Sequence, residues 1–335
     1  MHHSWISGIG SAHPKGIVTN EELAKKIAQH GAETNDQWIR ERTGICERRI
    51  SSLKEDERNS SLGLRASLEA MEMANIQPQD IDLILYATCS PDTLVPSTAC
   101  WLQKKLGALQ AGALDLNAAC SGFVYGLHLA DQMIKTGAHK TILVIGGEVL
   151  SPYLNWGDRT SSILFGDGAG AAVVQRTHSD QSSRLFSTHV GSDGNLWDLF
   201  YIPAGGSNQE VTPEVYERQE HKMKMKGREI FKVACNTLAT YAKKAIESNE
   251  FSVEDVDWIV PHQANLRIIE NVAKKLNVPM DKVIVNVDRF GNTSAATVPT
   301  AFAEAVKTGK IKRGDLVLFD VFGAGLTYGS ALLRW

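Results

Sequence analysis

"IQPQDIDLILYAT" (Ile76 to Thr88) returns, changed but aligned, as "FSVEDVDWIVPHQ" (Phe251 to Gln263). Asp80 falls over Asp255 and Asp82 over Asp257, a shift of 175 positions. Each copy follows a long helical pattern and runs from an Asp-x-Asp connection into a short apolar segment that reads as a buried strand. Further out, "KKLG" at Lys104 returns as "KKLN" at Lys274, and "KTG" at Lys135 returns as "KTG" at Lys307, this last pair shifted by 172. Three matches in one order, each in the same predicted context, point to an internal duplication.

Around these anchors the apolar runs "IDLILYAT", "KTILVIGG", "VDWIVPH", "KVIVNV" and "DLVLFDVF" are short and near-continuous, as expected of strands covered on both faces. Helical patterns such as "SSLGLRASLEAMEMAN" and "EIFKVACNTLATYAKKAIESN" lie between them, so the class is α/β. Two like halves are expected, residues 1–177 and 178–335, meeting at the polar seam "RTHSDQSSR" (176–184). At 335 residues the chain can bury one large core or two half-size units packed as one body. A formal net charge of −3 with both signs interspersed argues against a nucleic-acid or membrane-surface protein.

The five cysteines form no CxxC pair and no metal-ligand spacing with histidine, and an odd number makes a poor disulfide framework. A reducing cytoplasm fits best. The opening "MHHSWISGIGSAHP" carries no basic flank with an apolar run, so a soluble, unprocessed chain is expected.

One cysteine stands apart. In "DLNAACSGFVYGL" (Asp115 to Leu127) a strand end gives way to a helix whose apolar face is Phe123, Leu127 and Ala130, which puts Cys120 near a helix N-terminus. Free N–H groups and the positive end of the helix dipole there favour a thiolate, and so suit a nucleophile. Carrying Cys120 forward by 172 lands on Asn292 in "RFGNTSAAT"; carrying Ala87 forward by 175 lands on His262 in "VPHQAN". The duplication therefore predicts that Cys120 and Asn292 face each other across a pseudo-twofold axis, with His262 beside them. A nucleophile and two hydrogen-bond donors would then converge.

These motifs, with "WIRERTGICERR", "FGDGAGAAVV" and "FGAGLTYGSALL", resemble those of β-ketoacyl-acyl-carrier-protein synthase III, the condensing enzyme that starts bacterial fatty acid synthesis. The likeness runs from "ISGIGSAHP" to "LLRW". It implies a thiolase-like fold, two duplicated βαβαβαββ-type halves stacked as a five-layer αβαβα body. It also implies a decarboxylative condensation of an acyl-CoA primer with malonyl-acyl carrier protein. Cys120 would carry the acyl group, with the backbone N–H groups of Cys120 and Ala324 as oxyanion hole, and His262 and Asn292 would stabilise the enolate. No metal or redox cofactor is implied, and the partners would be acyl-CoA, malonyl-acyl carrier protein and a second copy of the chain.

By the same resemblance Trp38, Arg42, Arg159 and Asn265 contact CoA, while Arg267, Lys232, Lys274 and Lys275 receive the acidic carrier protein; the basic run "HKMKMKGR" is expected to add to that surface. Val95, Leu150 and Phe165 match positions around the primer pocket, Val95 reaching it from the partner chain. Two departures stand out: alanine at the middle of "FGAG", and valine at position 95 where some relatives carry an aromatic residue. The alternatives are a same-fold enzyme of secondary metabolism, or a cysteine thioester hydrolase with "AACSG" as its nucleophile turn. The hydrolase reading leaves Asn292 and the duplication without a purpose.

Overall fold

A computed structural model describes residues 2–177 and 183–335. Residue 178, where the second half is expected to begin, and residues 178–182 of the polar seam lie outside the described residues.

Two sheets carry the architecture. The first has strand order His3–Ala12, Gly168–Thr177, Thr141–Glu148, Leu83–Ala87, Gly112–Leu116; the second runs Trp258–Pro261, Leu316–Gly323, Thr327–Arg334, Arg184–Ser192. Leu83–Ala87 lies parallel to Thr141–Glu148, which turns back antiparallel into Gly168–Thr177. In the second sheet Trp258–Pro261 lies parallel to Leu316–Gly323, which turns back antiparallel into Thr327–Arg334. The pattern is the same twice.

Because both faces of each sheet are apolar, each needs helices on both sides. Helices Asn59–Ala74 and Thr98–Leu106 cover the outside of the first sheet, burying Leu62, Ala66 and Leu102 against Ile84, Tyr86 and Val173. Helices Gly122–Lys135 and Thr297–Lys307 fill the middle, where Phe123, Leu127, Val298 and Phe302 meet Leu85 and Val144 on one side and Phe319 and Val321 on the other. Helices Gly227–Glu247 and Leu266–Leu276 close the far side through Leu238, Ala242, Val272 and Leu276. The result is the expected αβαβα stack.

The structure corrects the register of the repeat. Strands starting at Leu83 and Thr141 correspond to strands starting at Trp258 and Leu316, and the short 3₁₀ turn Ala119–Ser121 corresponds to Ser294–Ala296. All share the 175 shift. Even the left-handed residues match, Ala119 at φ 46° and Ser294 at φ 52°. The counterpart of Cys120 is therefore Ala295, and the counterpart of Asn292 is Asn117. Asn117 Oδ1 accepts the Ala119 N–H at 3.2 Å, and Asn292 Oδ1 accepts the Ser294 N–H at 2.8 Å. The 172 shift between Lys135 and Lys307 arises because helix Gly122–Lys135 has 14 residues and Thr297–Lys307 has 11.

A second correction concerns "KVIVNV". It occupies the place beside Trp258–Pro261 that Gly112–Leu116 holds beside Leu83–Ala87, but makes a single bridge, Val283 to Ile259. The 3₁₀ turn Met280–Lys282 before it and the helical turn Val287–Phe290 after it take the two ends of the run, leaving residues 283–286 between them.

The halves meet so closely that a Cβ on Gly146 would lie 2.2 Å from the Ala295 carbonyl oxygen. Gly146→Ala is expected to destabilise the chain by about 1–3 kcal/mol through overpacking, read as a lower urea midpoint. Gly194→Ala, where a Cβ would meet nothing within 4 Å, should change stability by less than about 0.5 kcal/mol.

Candidate active site

At the axis between the halves, the strand Gly112–Leu116 ends and the chain turns sharply through Ala119–Ser121 into the central helix. The Asn117 side chain supports the left-handed Ala119, and Thr327 Oγ1 ties the preceding carbonyl, that of Ala118, at 2.7 Å. This turn delivers Cys120, 5 % exposed, to the inner end of a cavity of about 810 Å³. The Ser294 side chain and the backbone N–H groups of Cys120 and Ala324 each draw the thiol down. Burial nevertheless outweighs them and pushes the thiol up to about 12, with the Glu148 carboxylate adding to the rise. The expectation of a resting thiolate is therefore corrected: desolvation exceeds the stabilisation offered by the helix start, and the resting group is a thiol.

The alanine in "FGAG" costs the site nothing that glycine would supply. Glycine is required on either side of it. A Cβ on Gly323 would lie 2.7 Å from the Cys120 amide nitrogen, and Gly325 has φ 128°, in the region that favours glycine.

His262 follows Trp258–Pro261 and is anchored by its N–H to the Asp320 carbonyl at 2.8 Å. Its Nδ1 lies 2.7 Å from Thr297 Oγ1. The same hydroxyl lies 2.9 Å from the Ser294 carbonyl, its other acceptor; when the hydroxyl proton is turned to Nδ1 instead, the neutral imidazole carries its own proton on Nε2. Burial pushes this imidazole down to about 3, which keeps it neutral at physiological pH. Asn292 is clamped by its own N–H to the Leu164 carbonyl at 2.8 Å and by its carbonyl to the Gly166 N–H at 3.1 Å. Since its Oδ1 is taken by Ser294, its side-chain NH₂ is left to face a ligand. His262, Asn292, Cys120 and Ala324 all line the one cavity.

At the mouth, the Arg42 and Arg159 guanidinium carbons stand 4.7 and 4.8 Å from the centroid of the Trp38 ring. These three, with Asn265 and Arg267, also line the cavity. Asn265 has two tasks: its Oδ1 caps helix Leu266–Leu276 through the Arg267 N–H at 2.9 Å, and its Nδ2 donates to the Arg42 carbonyl at 3.0 Å. Arg228, inside the basic run "HKMKMKGR", lines the mouth too. Lys232, Lys274 and Lys275 do not line it, and the last two sit in the final turn of their helix, away from Arg267 in its first.

Leu150 and Phe165 are buried together with Leu154 and Met223, with Cys89 packed against them, and Phe165 reaches the cavity. Val95 does not. It is 86 % exposed beside Leu94 at 85 %, so within one chain it forms no pocket floor.

Two segments match sequence profiles: residues 114–194 that of 3-oxoacyl-[acyl-carrier-protein] synthase III, and residues 246–335 that of its C-terminal part. The chain is 48% identical over 333 residues to the β-ketoacyl-[acyl-carrier-protein] synthase III of Methylococcus capsulatus, covering 99% of each chain. It belongs to the β-ketoacyl-acyl-carrier-protein synthase III family. The crystal structure of the 3-oxoacyl-[acyl-carrier-protein] synthase III of Aquifex aeolicus VF5 matches with a TM-score of 0.89 at 42% identity, covering 99% of this chain and 100% of that one. The priming β-ketosynthase of the R1128 polyketide pathway matches with the same TM-score of 0.89 at 33% identity, covering 99% and 96%.

Sequence reasoning about this synthase III missed Ser294, Cys89 and Glu148. Glu148 had a visible signal: a charge closing the apolar strand "KTILVIGGE", where a parallel-type strand is buried on both faces. Ser294 had none beyond its place in "GNTSAAT".

The oxyanion hole generates a test. Gly323→Ala should slow acylation of Cys120 by about 10²–10³, the usual loss for a displaced oxyanion donor, whereas Ala324→Gly should keep it within a few-fold. Single-turnover mass spectrometry with an acyl-CoA reads both.

Proposed function

We propose that this chain condenses an acyl-CoA primer with malonyl-acyl carrier protein to give 3-oxoacyl-acyl carrier protein, the initiating step of fatty acid synthesis. The convergence of Cys120, His262, Asn292 and the Ala324 N–H in one cavity carries the reading. In the first half-reaction Cys120 Sγ attacks the thioester carbonyl, the oxyanion rests on the two backbone N–H groups, and the carbon–sulfur bond to CoA breaks. In the second, malonyl loses carbon dioxide and its electron pair moves onto the thioester oxygen. Neutral His262 and the Asn292 amide suit that charge as fixed donors. The enolate carbon attacks the acyl-cysteine, a carbon–carbon bond forms, and Cys120 leaves. Neither half needs a metal or a redox cofactor.

Other features support the finer assignments. Trp38 between Arg42 and Arg159 suits a flat base with nearby phosphate. The four arginines at the mouth, Arg42, Arg159, Arg228 and Arg267, suit an acidic carrier protein. The edge strand Gly112–Leu116 is largely uncovered, and Leu94, Val95, Leu109 and Leu114 are exposed, which favours a homodimer that covers them. All five cysteines are free, in keeping with a reducing cytoplasm, and among the described residues no helix is long and apolar enough to cross a membrane.

The deciding experiment separates the half-reactions. Cys120→Ser should lose the acyl adduct, while His262→Ala and Asn292→Ala should still acylate but lose carbon dioxide release by about 10²–10³. An undiminished adduct on Cys120→Ser would remove the nucleophile from the scheme, and equal loss of both steps in the other two would remove the division of labour.

A second expectation concerns the primer. With Val95 of the partner at the floor of the pocket, the missing aromatic ring leaves room for extra methylenes, each worth about 0.8 kcal/mol or about fourfold in affinity. The ratio kcat/KM should favour a primer longer than acetyl, and Val95→Phe should move the preference back toward acetyl-CoA.

A further inference from the structure

Behind the nucleophile lies a buried carboxylate that the scheme above does not use. Glu148 ends the strand Thr141–Glu148 and is fully buried. Five groups aim protons at it. The Cys89 N–H reaches both oxygens at 3.2 Å, and the Cys89 thiol donates to Oε1 at 3.3 Å. Thr88 Oγ1 accepts from Asn59 Nδ2 and the Ser90 N–H, so its own proton goes to Glu148 Oε2 at 3.1 Å. Ser90 Oγ accepts the Val149 N–H and likewise donates to Oε2. Ser294 Oγ donates to Oε1 at 3.1 Å. A group met by donors alone is a full carboxylate in the resting enzyme. Ser294 also faces the nucleophile: the turn that carries it packs against the turn that carries Cys120, and its hydroxyl draws that thiol down.

We infer that Glu148 takes the Cys120 proton through the Ser294 hydroxyl during acylation and returns it when the product leaves. The inference rests on Cys120 being the acylated residue, as proposed above. In the first half-reaction the S–H proton passes to Ser294 Oγ while the Ser294 proton passes to Glu148 Oε1. The sulfur attacks the thioester, the CoA thiolate departs, and solvent at the open mouth protonates it. Glu148 is then neutral for the lifetime of the acyl-enzyme. When the condensed product breaks its bond to sulfur, the same two proton movements run backwards and restore thiol and carboxylate. The cycle consumes one proton from solvent, as the replacement of a malonyl carboxylate by carbon dioxide and a free thiol requires. Ser294 is the group in contact with the reacting atom; Glu148 acts through it.

The ionisable side chains that feel Glu148 are Cys89, Cys120, Tyr86 and Tyr153, and burial raises each of them, so no second anion competes for the proton. Burial also raises Glu148 above the ordinary carboxylate range, which makes it a better acceptor than an exposed glutamate. Acylation should therefore be lost as pH falls through that raised value and be level above it.

The test is single-turnover acylation by acyl-CoA, followed by intact mass and peptide mapping across pH. Glu148→Gln keeps shape but cannot take a proton, and should slow acylation by about 10²–10⁴, the usual contribution of a positioned base. Its rate should climb with alkaline pH, following the thiol's own ionisation. Ser294→Ala should lose as much, and the double variant no more, because one route is cut twice. Decarboxylation by variant enzyme that has been acylated to completion should stay within several-fold of the parent, which a merely structural role would not predict. A parental acylation rate or pH profile in Glu148→Gln, or multiplied losses in the double variant, overturns the relay; should Glu148→Gln fail to fold, Ser294→Ala decides by the same rate and profile. An adduct mapped away from Cys120 in the parent overturns the nucleophile assignment, and the relay with it.

Discussion

The site depends on how closely two glycines let the halves approach. At Gly146 a side chain would run into the Ala295 carbonyl, and at Gly323 into the amide of Cys120. Both contacts lie at the ends of central strands, where each sheet meets the turn that launches a helix. Packing here is set by backbone against backbone, with no side chain to yield. Such contacts fix positions to a fraction of an ångström, which a site working through backbone N–H groups demands.

Electrostatically the chamber keeps its one buried anion, Glu148, behind the nucleophile, and the groups that face a substrate are neutral. Burial holds His262 neutral and Cys120 protonated, and the Asn292 amide is polar without being charged. The fixed cations stand at the mouth, with no arginine or lysine among the residues around the nucleophile. A dry interior strengthens each hydrogen bond aimed at a developing anion, and a rim of guanidinium groups gathers anionic substrates without disturbing the reacting centre.

Much of this was legible in the chain. The repeated Asp-x-Asp connection carried the duplication, and the duplication carried the stack of layers and the meeting of Cys120 with His262. The register at Asn292 was misread because three residues lost from one central helix shift the anchor at its end, Lys135 over Lys307, but not the turn before it. "KVIVNV" has the composition of a strand, but its first and last residues are drawn into the flanking turns and only Val283 bridges its neighbour. Val95 is a position whose meaning belongs to a second chain. Ser294 and Glu148 come together from segments 146 positions apart, through a contact that no local pattern announces.

The matched turns carry one more consequence. Asn117 and Asn292 brace the backbone in the same way in the two halves, each through the N–H two residues on. At the first turn the left-handed residue is followed by Cys120, at the second by Ala295, whose carbonyl lies against Gly146. The two turns are alike in backbone and unlike in chemistry, so the twofold relation of the fold stops at its side chains.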